Sequence, residues 1–149
     1  MVPRVTAEMN ESLCKPYTKE EVKVALKQMH PHKAPGPDGL NPYFYQKFWD
    51  MVRKDVIAAV LAILNGHAIP PKLNHTWVTL IPKKPKPSLM GEFRPISLCD
   101  VRYKLVTKVI SNRLKSVLPQ VISESQAAFT PGKLITDNIL IAYEAFFML

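Results

Sequence analysis

Apolar residues recur along this chain with the helical period in most places and with strand-like character in one. From Lys19 to Met29, the positions Val22, Ala25, Leu26 and Met29 fall at i, i+3, i+4 and i+7, which is one helix face. Thr18 and Glu21 precede them as an S/T-x-x-E capping box. His30-Pro31 ends that pattern, and "KAPGPDGL" (Lys33–Leu40) reads as a turn-rich loop, because proline fixes φ and glycine supplies positive φ. Asn41-Pro42 then suits the N-cap and first position of another helix, with Phe44, Phe48 and Val52 as its stripe. Val56, Val60, Ile63 and Leu64 continue the period up to Gly66, a C′ glycine. The pattern leaves open whether Met51–Asp55 contains a break.

The period then changes. "HTWVTLI" (His75–Ile81) is β-branched and aromatic, hence a strand, and "PISL" (Pro95–Leu98) is its hairpin partner. Asp100 is placed to cap a long helix through about Leu118, with Pro119 ending it. Val106, Val109, Ile110, Leu114 and Val117 form the apolar stripe of that helix. Residues 123–135 read mostly as loop around a Pro131-Gly132 turn. A last helix starts at Thr136 or Asp137 and carries Ile139, Leu140, Tyr143, Phe146, Phe147 and Leu149. These elements imply an α+β chain, mostly helical, with one β-hairpin. Apolar residues this close to a chain end call for something to cover them.

Composition narrows the class. With 149 residues and 47% hydrophobic content, the chain can form a packed core and is not of the disordered type. Cys14 and Cys99 follow no metal or redox spacing, so a reducing, intracellular compartment is expected rather than secretion. His30, His32, His67 and His75 pair with no Cys, Asp or Glu cluster at ligand spacing, which argues against a zinc site. No apolar run reaches membrane-spanning length.

Charge changes the picture more. The net charge is +8, and residues 80–120 hold nine cations against two acids. Four of the cations, Lys83, Lys84, Lys86 and Arg94, crowd the hairpin connection, where only Glu92 opposes them. Lys104, Lys108, Asn112 and Lys115 repeat on one face of the following helix. A focused basic block is the footprint of a polyanion, most often nucleic acid. A merely solvated basic surface is the alternative that charge alone leaves open.

Four phrases in one order carry a resemblance: "HKAPGPDGLNPYFYQKFW" (32–49), "NHTWVTLIPKK" (74–84), "FRPISLCDVRYKLVTKVISNRLK" (93–115) and "LPQVISESQAAFTPGKLITDNILIAYE" (118–144). Together they resemble the N-terminal part of the reverse transcriptase domain of non-LTR (LINE-type) retrotransposons, particularly those of plants. The resemblance implies residues 1–16 as an N-terminal tail and residues 17–149 as the fingers part of a right-hand polymerase, an incomplete fold without palm and thumb. It assigns Lys83, Lys84 and Arg94 to the triphosphate of an incoming nucleotide, in keeping with the planar fork that Arg offers phosphate. Lys33, in the "KAPGPDG" phrase, and the segment from Gln126 to Lys133 are implied to border the template. Lys133 stands where the family usually has Arg. With the Lys104, Lys108 and Lys115 face, these residues are the candidate nucleic-acid contacts.

The family's polymerase chemistry uses Mg²⁺ held by palm carboxylates. This sequence has no Asp-Asp pair, so no catalytic residue, metal site or cofactor is expected within it. By resemblance it is part of an RNA-directed DNA polymerase, inactive by itself. Its expected partners are RNA or an RNA/DNA hybrid, bound weakly and without sequence preference, and the missing palm; no membrane is expected. A non-catalytic nucleic-acid-binding module and a helical interaction protein with idle charges are the alternatives.

Overall fold

The computed structural model describes residues 5–122, 126, 132 and 134–147. Six α-helices and one hairpin occur among them, in the order α1 (Ala7–Cys14), α2 (Lys19–Lys27), α3 (Pro42–Lys47), α4 (Trp49–Leu64), β1 (Trp77–Pro82), β2 (Phe93–Leu98), α5 (Val101–Val121) and α6 (Ile135–Phe147). The chain is thus mostly helical with one two-stranded antiparallel sheet. It divides into two compact units, one of residues Lys15–Asn112 and the other of Met1–Cys14 with Arg113–Leu149.

The larger unit is built on caps legible in the sequence. The Thr18 hydroxyl accepts the Glu21 N–H, and the Glu21 carboxylate accepts the Thr18 N–H in return. This reciprocal capping box satisfies two of the orphan donors at the start of α2. Asn41 caps α3 by accepting the Phe44 N–H, with Pro42 at its first position. The open break lies at Phe48 (φ −102°, ψ 24°), between α3 and α4, and not within Met51–Asp55. At the far end of α4, Gly66 takes φ 95°. The His67 N–H reaches Ala62 O and the Gly66 N–H reaches Ile63 O, the paired bonds of a Schellman turn.

Val22, Ala25, Leu26 and Met29 of α2 pack with Tyr45 of α3, Val56 and Val60 of α4, and Val101, Leu105, Val106 and Val109 of α5. The α5 stripe is therefore rotated from the expected one. Val101 and Leu105 are fully buried, whereas Ile110 and Leu114 are exposed. Pro119 lies inside α5, which runs on to Val121. Its missing N–H removes one bond from the last turn, and the Ile122 N–H to Leu118 O bond carries the helix past it.

The hairpin pairs Trp77 with Leu98 and Ile81 with Arg94. Trp77, Val78, Leu80, Ile81 and Ile96 are exposed, so apolar residues on both faces of the ribbon meet solvent. A lone two-stranded ribbon is marginal in water unless something packs on it.

In the smaller unit, the stretch expected as a tail carries α1, whose first turn is tied by the Met9 N–H to the Thr6 hydroxyl. The Arg113 guanidinium donates to Leu13 O at 3.0 Å, and Val117 is buried. On α6, Ile139, Leu140, Tyr143, Phe146 and Phe147 are exposed, with the Tyr143 and Phe147 rings 4.2 Å apart. Leu149 lies outside the described residues. Among the described residues no helix is long and apolar enough to cross a membrane.

Candidate nucleic-acid interface

The "KAPGPDGL" loop is fastened to the start of α5. Gly36 lies so close to it that an added Cβ would meet Asp100 N and Asp100 Oδ1 at 2.5 Å each. The Asp38 N–H donates to Asp100 Oδ1 at 3.4 Å. The Asp38 carboxylate in turn accepts the Leu40 N–H at 3.1 Å and the Tyr45 hydroxyl at 3.4 Å. Asp100 is buried, with Arg102 at 3.5 Å as its ion-pair partner. Burial first, then the negative Asp38, push the Tyr45 hydroxyl up to about 12. From α5, Lys104 Nζ donates to Ala34 O at 2.9 Å and pins the loop's other end.

This fastening brings predicted residues together. Lys33 from the loop, with Lys104 and Lys108 from α5, lines one cavity of about 440 Å³. Thr107 and Ser111 of α5, and Gln28 and Met29 from the end of α2, complete the lining. Lys104, Thr107, Lys108 and Ser111 fall at i, i+3, i+4 and i+7, so one helix face presents ammonium and hydroxyl groups in alternation. Among the described residues, no Asp or Glu lines this cavity. Thr107 and Ser111 escaped the sequence reading, which tracked charge and chose Asn112 instead; the helical offset from Lys104 was the signal that could have found them. Lys104 also serves the fold, because its ammonium group holds the Ala34 carbonyl.

The hairpin cations are arranged differently. Lys83 Nζ donates to Gly91 O at 2.7 Å, and Lys84 pairs with Glu92. Glu92 also accepts the Ser88 N–H at 2.7 Å and the Leu89 N–H at 3.2 Å. The Lys84 pair, followed by these backbone donors, holds the Glu92 carboxyl below the usual carboxylate range. Two of the three residues expected to meet a triphosphate are therefore engaged in bracing the tip. Arg94 is exposed on β2, opposite Ile81. Lys115 and Gln126 are exposed and belong to the smaller unit, and Lys133 lies outside the described residues.

Among the described residues, no donor set suited to the family's Mg²⁺ is seen. Asp38 and Asp100 come close, but both carboxylates are committed to internal donors. Among the described residues, no group of three or more His, Cys, Asp or Glu side chains is arranged for a metal.

Comparison with known proteins decides the family. Residues 81–146 match the model for "Reverse transcriptase (RNA-dependent DNA polymerase)". Over 140 residues, 94% of its length, the chain is 37% identical to the uncharacterized 149 kDa protein of transposon TX1 from Xenopus laevis. This chain is part of a reverse transcriptase domain of the non-LTR type. It is also 26% identical over 129 residues, 87% of its length, to the retrovirus-related Pol polyprotein from type-1 retrotransposable element R2 of Popillia japonica. It spans only 11% of the frog protein and 17% of the beetle protein. Both relatives are animal proteins, so the plant affinity rests on the sequence phrases alone. In this reverse transcriptase segment, the matched stretch covers the hairpin from Ile81 onward, α5 and most of α6.

Proposed function

We propose that this chain is the fingers portion of a non-LTR reverse transcriptase, and that it grips the backbone of RNA or an RNA/DNA hybrid through the Lys33–Lys104–Lys108 cavity. The observation that carries this reading is the convergence of three lysines and two hydroxyls on one acid-free cavity. The ammonium groups and the Ser111 hydroxyl suit phosphate oxygens, and such contacts position a strand without reading its sequence, while the Thr107 hydroxyl donates to Lys104 O at 3.0 Å within α5. Arg94 is the hairpin cation for a nucleotide triphosphate, while the Lys84–Glu92 pair keeps the tip in shape. Polymerisation belongs to a longer protein with palm carboxylates, so the chain by itself does not extend a primer.

RNA affinity across a salt series tests the reading. Wild-type chain should bind single-stranded RNA with log Kd linear in log salt, at a slope of about 0.7 per phosphate contacted. The reading fails if affinity is independent of salt, or no greater than that of an unrelated protein of equal net charge. Primer extension by the chain alone with Mg²⁺ and nucleotides would overturn the inactive assignment.

A further inference from the structure

A second cavity of about 530 Å³ lies between α2 and α4. It owes nothing to the Lys33–Lys104–Lys108 cavity and shares no residue with it. Its floor follows one row of α4: Trp49, Arg53, Ile57 and Leu61 come four residues apart, with Ala58 beside them. Trp49, Ile57 and Leu61 are half-buried and rest on the core. At 1.5 Å per residue this row is about 18 Å long, or three turns of a helix laid along it. The rims are basic. Lys19 and Lys23 stand on the α2 side, Arg53 and Lys54 on the α4 side, and Glu20 is the one acid in the lining. Arg53 has an ion-pair partner in Asp50 at 3.5 Å, but both side chains are largely exposed, so the pair competes weakly with an incoming carboxylate.

We infer that this groove docks an acidic amphipathic helix of another protein. The apolar part of the row, Ile57, Ala58 and Leu61 with Trp49 at its far end, offers a seat for the apolar ridge of a helix. Cations on both sides match acids on the two flanks of that ridge and disfavour basic partners. Single-stranded nucleic acid fits less well, because its bases need aromatic platforms. Trp49 is the one aromatic in the lining and stands at the end of the row.

The test uses the full chain and a labelled 18-residue helical peptide with Leu on one face and Glu on its flanks. Binding is expected at a Kd of about 10–100 μM. Replacing the peptide's Glu by Lys, or scrambling its order, should each weaken binding about tenfold or more. The double variant Lys23→Glu with Arg53→Glu should lose about tenfold as well, while Lys33→Ala with Lys108→Ala should leave peptide binding unchanged. That last pair separates this groove from the RNA-binding reading, since either can fail alone. Lys23, Arg53 and Lys33 are exposed and Lys108 is half-buried, and unaltered circular dichroism would confirm that both double variants fold. Equal affinity for the scrambled peptide would overturn the inference by reducing the groove to a general polyanion surface. So would displacement of the peptide by oligouridylate whose own affinity falls in the Lys23→Glu, Arg53→Glu variant, which would make this a nucleic-acid groove. Loss of peptide binding in step with dimer formation would overturn it too, by giving the groove to a second copy.

Discussion

The loop Lys33–Leu40 and the hairpin tip, residues 83–92, are both short and proline-rich and both carry lysine, yet they are held differently. The first is tied to a buried carboxylate 62 residues away, through Asp38 and Asp100, and to α5 again through Lys104. The second is tied to itself, through Glu92, Gly91, Lys83 and Lys84. The contrast bears on what each can do. Lys33 is fixed against one face of α5, which suits a rigid backbone grip. Arg94 sits on a ribbon with solvent-exposed apolar residues on both faces, so its position is less fixed than that of Lys33.

Substitutions in the two regions should therefore differ in size. Leu105→Ala empties a fully buried site and should cost about 3–4 kcal/mol in urea unfolding. Ile81→Ala in the exposed hairpin should cost less than about 1 kcal/mol. Equal costs would mean that the hairpin is packed as firmly as the helical core.

A matched glycine pair sharpens the contrast at the loops themselves. Gly36→Ala forces a Cβ against Asp100 and the Cys99 carbonyl carbon, and backbone atoms there cannot swing away. It should cost about 2–3 kcal/mol. Gly91→Ala meets nothing within 4 Å and should change the unfolding midpoint negligibly.

The two loops should also respond at opposite ends of the pH scale. Tyr45 is raised from 10.0 to about 12 in the folded chain, so the folded state holds this proton more tightly than the unfolded state. Its contribution is whole below pH 10 and is lost as pH rises toward about 12. Tyrosinate absorbance should show one late-titrating tyrosine that disappears in Tyr45→Phe. Glu92 is lowered from 4.5, so its contribution is present above that value and fades as pH falls through the lower folded value. This smallest effect should appear as shifts of the Ser88 and Leu89 amide signals in acid, without global unfolding, and Glu92→Gln should abolish it.

Much of the fold was legible because local rules and tertiary packing agree. The Thr18–Glu21 box, the Asn41-Pro42 start and the Gly66 stop each act within a few residues. The α2 stripe is buried as its period requires. The rotation of the α5 core face was not legible, since Val101 and Leu105 extend the apolar pattern one turn earlier and only the neighbouring helices choose between faces. Pro119 misled for a related reason: a proline in a last turn removes one bond without preventing the next. At the candidate site, the charges of Lys33, Lys104 and Lys108 were legible, but their convergence was not. It depends on Gly36 and Asp38 meeting Asp100, a contact across 62 positions that no local pattern encodes. Asp100 stands at the start of α5, its carbonyl accepting the Lys104 N–H, and its carboxylate also receives the Asp38 N–H and pairs with Arg102, a role no local pattern announces.

The most direct test of the division between the two loops is the salt slope of RNA binding in two variants. Lys33→Ala with Lys108→Ala leaves the Lys104–Ala34 clasp intact while removing two of the cavity's three cations. We expect its slope to flatten by about 1.4, the value for two lost phosphate contacts on a single strand, and Arg94→Ala to keep the wild-type slope. An unchanged slope in the double variant, or a larger loss from Arg94→Ala, would contradict the assignment of the backbone grip to the Lys33–Lys104–Lys108 cavity.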